Sequence, residues 1–265
     1  MPSPDLDLAS VSTLLCDADG TLFASEEPAF EASVSLTNRV LERLGSERRF
    51  TAEELRLAAN GQSFRLTLSQ LARAHGVAVD AEPFVHDLEV WVAEENQVVT
   101  RHVAEVLRPD ASVAAPLRRL AKSIRMAVVT SSALSRIDAS LRSSGLQDLF
   151  PDELRFSAQD SLPVPTSKPD PAVYRLAVEQ LELTPGTALA VEDAVPGAQS
   201  AVAAGLTTVG MLCFVPAAER AQRVVDLQQV GVHALVDSWA QLEDLLKRGR
   251  PVPDPRPDER DGASV

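Results

Sequence analysis

The sequence predicts an α/β protein: a parallel β-sheet core flanked by helices, with an all-α segment inserted after the first strand. Three observations predict it. Short apolar runs of strand type recur at 11–16, 124–129, 189–191, 207–212 and 234–236. Helical patterns lie between them, and strands that alternate with helices pack as a parallel sheet. Between about Ser25 and Arg108 the alternation stops, and helical stretches follow one another with no convincing strand among them.

The elements can be justified in order. The run VSTLLC (Val11–Cys16) is short, apolar and β-rich, as a buried parallel strand requires. In the inserted segment, helical patterns span Phe30–Leu44, Ala52–Ala59, Phe64–His75 and Pro83–Leu107. Thr51-Ala52-Glu53-Glu54 matches a capping box and fixes the start of the second of these. IRMAVV (Ile124–Val129) is the second strand, followed by a helix over Ala133–Ser143. A helix over Pro171–Leu181 precedes the turn-like TPGT and the strand Leu189–Val191. A helix over Val195–Ala204, the run TTVGML (Thr207–Leu212) and the short run Ala234–Val236 complete the core. The chain thus divides into a core of residues 1–24 and 109–248, a helical insertion of residues 25–108, and a Pro-rich charged tail, 249–265, expected to be disordered. No internal repeat is visible.

Composition limits the function. A chain of 265 residues with 45% apolar and 24% charged residues can bury a substantial core. The net charge of −13 disfavours a nucleic-acid or anionic-membrane surface, so an anionic substrate must be drawn by a local site. No stretch approaches a membrane span, and MPSPDLDLAS lacks the basic and apolar regions of a secretory signal. Cys16 and Cys213, both in apolar strand-like runs, read as core thiols of a reducing compartment. A soluble, cytoplasmic protein is expected.

Four short stretches carry the chemistry: Asp17-Ala18-Asp19-Gly20-Thr21, Thr130-Ser131-Ser132, Ser167-Lys168-Pro169 and Glu192-Asp193. Three of them end proposed strands, and parallel sheets gather ligands at the carboxyl ends of their strands. Two aspartates one residue apart repel each other unless a cation lies between them or the chemistry uses both. Clustered carboxylate oxygens suit Mg²⁺. A lysine and a hydroxyl beside them are what a transferring phosphoryl group needs, since its catalysis is largely positioning and charge neutralisation.

Together DADGT, VVTSS, SKPDPAVY and LAVEDAVPGAQSAVAAGL resemble the four motifs of the haloacid dehalogenase-like hydrolase superfamily. Their order and spacing are similar to its phosphatase and β-phosphoglucomutase-like branch, which has a Rossmann-like core and a helical cap inserted after the first motif. The resemblance covers most of residues 11–246. It implies that Asp17 is the nucleophile that becomes an aspartyl-phosphate, and that Asp19 protonates the leaving oxygen and then activates water. It also implies that Thr130 and the Ser131 backbone bind the phosphoryl oxygens and that Lys168 holds both nucleophile and phosphoryl charge. Mg²⁺ would be ligated by Asp17, Asp193 and the backbone carbonyl of Asp19, with Glu192 in support. In cap-bearing relatives the loop between two cap helices reads the leaving group. That loop is Asn60-Gly61-Gln62-Ser63-Phe64-Arg65 here, which makes Gly61 and Arg65 candidate substrate contacts, beside the plainer reading of a loop that only connects two helices.

Plainer readings stand beside these. Asp19-Gly20 is by itself a turn signal, Lys168 by itself a surface charge, and Thr130 could cap the helix that follows it. His75, His86 and His102 lack metal-ligand spacing, Trp91 is expected to pack the insertion, and Cys16 to face the core. Asp19 argues against a dehalogenase, which lacks that second acid. The absence of lysine from residues 25–108 removes Schiff-base phosphonate hydrolysis. The mutase branch carries a hinge histidine where this chain has Ala29, which favours a phosphatase; a phosphomutase and a non-catalytic phosphate-binding member remain the alternatives. The expected partner is a small phosphorylated metabolite. The residues leave the ester and the oligomeric state open.

Overall fold

The computed structural model describes residues 8–59, 62–184 and 186–248. The tail 249–265 and Gly61 lie outside the described residues. Six strands, β1 (Thr13–Cys16), β2 (Arg125–Thr130), β3 (Arg155–Ser157), β4 (Ala188–Glu192), β5 (Thr207–Met211) and β6 (Ala234–Val236), form one sheet in the order β3-β2-β1-β4-β5-β6. Every pairing is parallel. Apolar side chains of β1, β2 and β4 are buried on both faces of the sheet, which is why these strands read as continuous runs and not as alternating ones.

Strand β1 lies between β2 and β4, with Cys16 opposite Val128 on one side and Val191 on the other. The chain leaves β1 for β2 and β3, then returns to β4 on the opposite flank. The carboxyl ends of β1 and β4 therefore flank a topological switch point, where the helices that follow diverge and leave a crevice.

Between β1 and β2 come α1 (Glu26–Arg43), α2 (Ala52–Ala59), α3 (Phe64–Ala74), α4 (Phe84–Val106) and α5 (Ala111–Leu120). The capping box at α2 is formed: Glu54 N donates to Thr51 Oγ1 at 3.2 Å, and Thr51 N donates to Glu54 Oε2 at 2.8 Å. Leu36, Leu41, Leu55, Leu68, Phe84 and Trp91 build a separate apolar cluster in this helical layer. Trp91 packs edge-on against Phe84, with ring centroids 5.8 Å apart. The second half of α4 behaves differently, because Val99 and Val103 join Phe23, Val113 and Ile137 in the cluster beneath the sheet. One helix thus belongs to both layers and ties them together. Among the described residues no helix is long and apolar enough to cross a membrane.

The remaining helices are α6 (Leu134–Ser144), α7 (Ala172–Gln180), α8 (Val195–Ala203), α9 (Ala217–Val230) and α10 (Trp239–Arg248). Four elements go beyond the sequence-based expectation. Strand β3 is a three-residue edge strand, too short for a pattern. Helix α5 contains Pro116, ordinarily a break signal, and α9 buries only Leu227. Helix α10 buries an apolar stripe at Trp239, Leu242 and Leu246 and lies outside the expected helices. One expectation is corrected as well: Cys213 is in the turn after β5, not in a strand, because the ladder ends where Leu212 N donates to Val236 O at 2.8 Å.

Helix α10 is anchored to α5 by charge. Arg119 Nε donates to Glu243 Oε1 at 2.9 Å, and Lys247 Nζ lies 2.6 Å from the same atom. The hydrogen bonds from Arg119, helped by Lys247, pull the Glu243 carboxyl from the ordinary 4.5 down to about 2. A depressed carboxyl stabilises the fold above its unfolded pKa and loses that contribution as pH falls through the folded one. Glu243→Gln is therefore expected to lower the melting temperature at pH 7, with the gap to wild type closing between about pH 4.5 and pH 2 in thermal melts.

Candidate active site

The site is built on the strand ends. Asp17 follows β1 directly, and its backbone N–H donates to Val191 O of β4 at 2.9 Å. Thr130 closes β2, Glu192 closes β4, and Asp193 follows it. Lys168 reaches in from the loop before α7 and is 3% exposed, so the ammonium is out of water. Its Nζ donates to Asp17 Oδ1 at 2.6 Å, Glu192 Oε1 at 2.7 Å and Val129 O at 2.8 Å. Three donors thus meet three acceptors. Burial works against this ammonium, yet Asp17 and Glu192 outweigh it and hold the lysine pKa above its usual range.

The carboxylates are less well served. Oxygens of Asp17, Glu192 and Asp193 approach within 4.8 Å of one another, and all three residues are buried. Burial raises Asp17, with only partial relief from Lys168. Burial also raises Asp193, and repulsion from Asp17 adds to it. Arg223 offers Asp193 little direct relief, because its Nη1 donates to the backbone oxygen at 2.6 Å and lies 3.7 Å from the carboxylate. Buried like charges with hard oxygen donors and an incomplete set of counter-charges form a donor set that fits a divalent cation such as Mg²⁺.

Two glycines make this crowding possible. Gly20 has φ +82°, and a Cβ there would lie 2.4 Å from Asp193 Oδ2. At Gly197, in the first turn of α8, a Cβ would lie 1.8 Å from Glu192 Oε2. Gly197→Ala is expected to push Glu192 off Lys168, lowering stability by about 1–3 kcal/mol in a thermal melt and reducing activity with it.

Asp19 is held apart from the cluster. Ser25 and Ser132 donate their hydroxyls to its two oxygens, Ser132 at 2.6 Å. Ser25 occupies the N-cap position of α1 but makes no capping bond, because its hydroxyl is committed to Asp19. Thr130 does not cap α6, contrary to one sequence-based alternative. Its Oγ1 accepts from Ser132 N at 3.0 Å, while Leu134 N, at the start of α6, donates to Asp160 Oδ2 at 2.6 Å. Having accepted that bond, the Thr130 hydroxyl keeps its own proton for a ligand oxygen. The Ser131 side chain is also occupied: its Oγ accepts from Lys168 N at 3.1 Å and fixes the lysine's backbone.

A cleft opens above these groups and is closed on its far side by α1, α3 and α4. Asp17, Asp19, Thr130, Ser131, Lys168, Glu192 and Asp193 all line it. Arg65 lines it too, although its guanidinium is paired with Glu89, at 2.7 Å through Nη2. Ala29 and Phe30 of α1 contribute apolar wall. Trp91 is packed in the helical cluster, Cys16 is fully buried, and burial pushes the Cys213 thiol up to about 12. His75 faces Ser46, and His102 faces Glu31.

Several site residues had no role assigned to them from the sequence. Tyr174 donates its hydroxyl to Glu192, and Thr21 donates to Asp193 Oδ1 at 3.2 Å. Ser25 and Ser132 hold Asp19, and Ser132 stood in a motif without a role assigned to it. Arg136 of α6 reaches the adjacent α4, where Nη2 donates to Glu95 Oε2 at 2.6 Å and to Asn96 Oδ1 at 3.0 Å.

Known proteins resemble most of this chain. A family model described as haloacid dehalogenase-like hydrolase matches residues 11–205. Protein CbbY of Cereibacter sphaeroides is 28% identical over 239 residues, covering 89% of this chain and 95% of the relative. A phosphorylated carbohydrates phosphatase of Thermotoga maritima is 29% identical over 200 residues, covering 75% of this chain and 84% of the relative. The crystal structure of a CbbY mutant from Rhodobacter sphaeroides in complex with xylulose-(1,5)bisphosphate superposes with a TM-score of 0.65 at 24% identity. That superposition covers 88% of this chain and 96% of the other, and it bears on the fold.

Proposed function

The chain belongs to the haloacid dehalogenase-like hydrolases, and from that membership we propose that it is a Mg²⁺-dependent phosphatase cleaving a small phosphate monoester through an aspartyl-phosphate on Asp17. The observation that carries this reading is the unequal treatment of two neighbouring carboxylates. Asp17 is fixed by the Lys168 ammonium among other buried acids, whereas Asp19 is held by two hydroxyls. The first arrangement suits a nucleophile and the second an acid and base, since a hydroxyl-bound carboxylate takes up and releases a proton without disturbing the ion cluster.

Asp17 Oδ attacks phosphorus, and the bond from phosphorus to the ester oxygen breaks. Lys168 offsets the charge on the phosphoryl oxygens, and the Thr130 hydroxyl with the Ser131 backbone positions them. Asp19 gives its proton to the leaving oxygen, then takes one from the water that attacks the aspartyl-phosphate, returning Asp17 to its starting state. Asp17, Asp193 and the Asp19 backbone carbonyl would hold Mg²⁺, with Glu192 in support. The ion would supply charge neutralisation for the phosphoryl oxygens. Residues 25–108 serve as a cap over a core of 1–24 and 109–248, closing the cleft against bulk water. Ala29 presents only a methyl group to the cleft, which supports hydrolysis over the phosphomutase alternative. The relative named for phosphorylated carbohydrates supports a sugar phosphate or similar metabolite as substrate.

Phosphate release from a panel of small esters, with Mg²⁺ and with a chelator, tests this reading. Metal-dependent release that Asp17→Asn abolishes is the expected result. Release that persists in Asp17→Asn would falsify the mechanism, and conversion of β-glucose 1-phosphate to glucose 6-phosphate with little free phosphate would replace it with a mutase.

A further inference from the structure

The cleft beyond Asp19 has a charge pattern that bears on the leaving group. Among the described residues lining it, the cations are Lys168, Arg65 and Arg136, and each already faces a carboxylate. Lys168 serves the phosphoryl end. Arg65 is turned to Glu89, whose side chain is 60% exposed. Arg136 is different, because both it and its partner Glu95 are nearly out of water, with side chains 11% and 5% exposed. Only Nη2 of this guanidinium is engaged with Glu95 and Asn96, and its Nε is buried with no partner. Arg136 lines the cleft, and a buried donor left unpaired is costly, so a ligand group that reaches it as the side chain turns outward relieves that cost.

We propose that Arg136, Glu95 and Asn96 read the leaving group, and that they select a neutral, hydroxyl-bearing one, a sugar or polyol monophosphate, over one that carries a second phosphate or a carboxylate. This rests on the phosphatase reading above. A hydroxyl is both donor and acceptor. It can accept from the free Arg136 Nε–H and donate to the Glu95 carboxylate, satisfying both sides of the pair. An anionic group could only accept. It would gain the guanidinium but be forced against Glu95 and Asp19 in a desolvated cleft, where juxtaposed like charges oppose binding strongly. The pair also joins α6 to α4, which pack directly against each other, so this helix contact builds the reading surface.

The test compares esters matched in skeleton: glycerol 3-phosphate against 3-phosphoglycerate, and fructose 6-phosphate against fructose 1,6-bisphosphate, within a wider panel of neutral and anionic monoesters and p-nitrophenyl phosphate. Wild type with Mg²⁺ is expected to favour the neutral member in kcat/KM by at least about tenfold, and its best substrate is expected to be neutral. Glu95→Gln keeps a hydrogen-bonding side chain and removes the opposing charge, so the preference is expected to narrow by about tenfold or invert. A best substrate with a second anionic group, or a preference that Glu95→Gln leaves unchanged, overturns the inference while leaving the phosphatase intact. Release from no ester at all, p-nitrophenyl phosphate included, overturns the phosphatase reading and this inference with it. The wild-type ranking needs no variant and decides the matter if Glu95→Gln folds poorly.

Discussion

Asp17→Asn is expected to lower the rate of phosphate release by at least about 10⁴-fold while the protein stays folded. Asn has nearly the shape of Asp but cannot form the acyl phosphate at a useful rate. The substitution also removes one of three buried carboxylates whose oxygens lie within 4.8 Å of one another. In metal-free buffer its melting temperature is therefore expected to equal or exceed that of wild type, because repulsion toward Asp193 is relieved. Added Mg²⁺ is expected to raise the wild-type melting temperature and to do so much less for the variant. Turnover and metal-dependent stabilisation are separate readouts. A variant that loses activity but keeps the full Mg²⁺ shift would retain Asp17 as a nucleophile and remove it from the metal site.

Lys168→Met is the second large effect, and here stability and activity fall together. The ammonium satisfies Asp17, Glu192 and Val129 O at 2.6–2.8 Å. Removing it leaves two buried carboxylates without their counter-charge, a loss of about 3–5 kcal/mol where one partner of a buried pair is deleted. Adding Glu192→Gln removes one of the stranded charges and is expected to recover part of the melting temperature. It is not expected to recover turnover, which needs the positive charge at the phosphoryl oxygens. Recovery of both would mean that Lys168 acts only as structural support. Loss of activity without loss of stability would mean that the buried carboxylates are already neutral in the resting protein.

The parallel sheet and most of the helices were legible because their signals are local. Apolar runs, the capping box at Thr51 and the turn at TPGT are read within a few residues. The motifs of Asp17, Asp19, Thr130 and Asp193 are local in the same way and mark strand ends, while Lys168 stands in a compact motif before α7; their convergence on one cleft follows from that placement. Strand β3 and α5 were not legible, one because three residues carry no period and the other because Pro116 signals a break that packing overrides.

What the chain by itself determined is the kind of chemistry: two carboxylates one residue apart, a lysine before a proline, an acidic pair after a strand. Their types and spacing set the family and the order along the sheet. What only the tertiary structure decided is the company each side chain keeps. Ser25 turns from α1 to Asp19, Tyr174 supports Glu192 across 18 residues, and Arg136 meets Glu95 across 41. No local pattern specifies such pairs, because they arise when distant elements pack and bury polar groups that then require partners. The spacing of the motifs brings the acids and Lys168 to one cleft, and the packing of α4 against α6 places Arg136 and Glu95 on its wall.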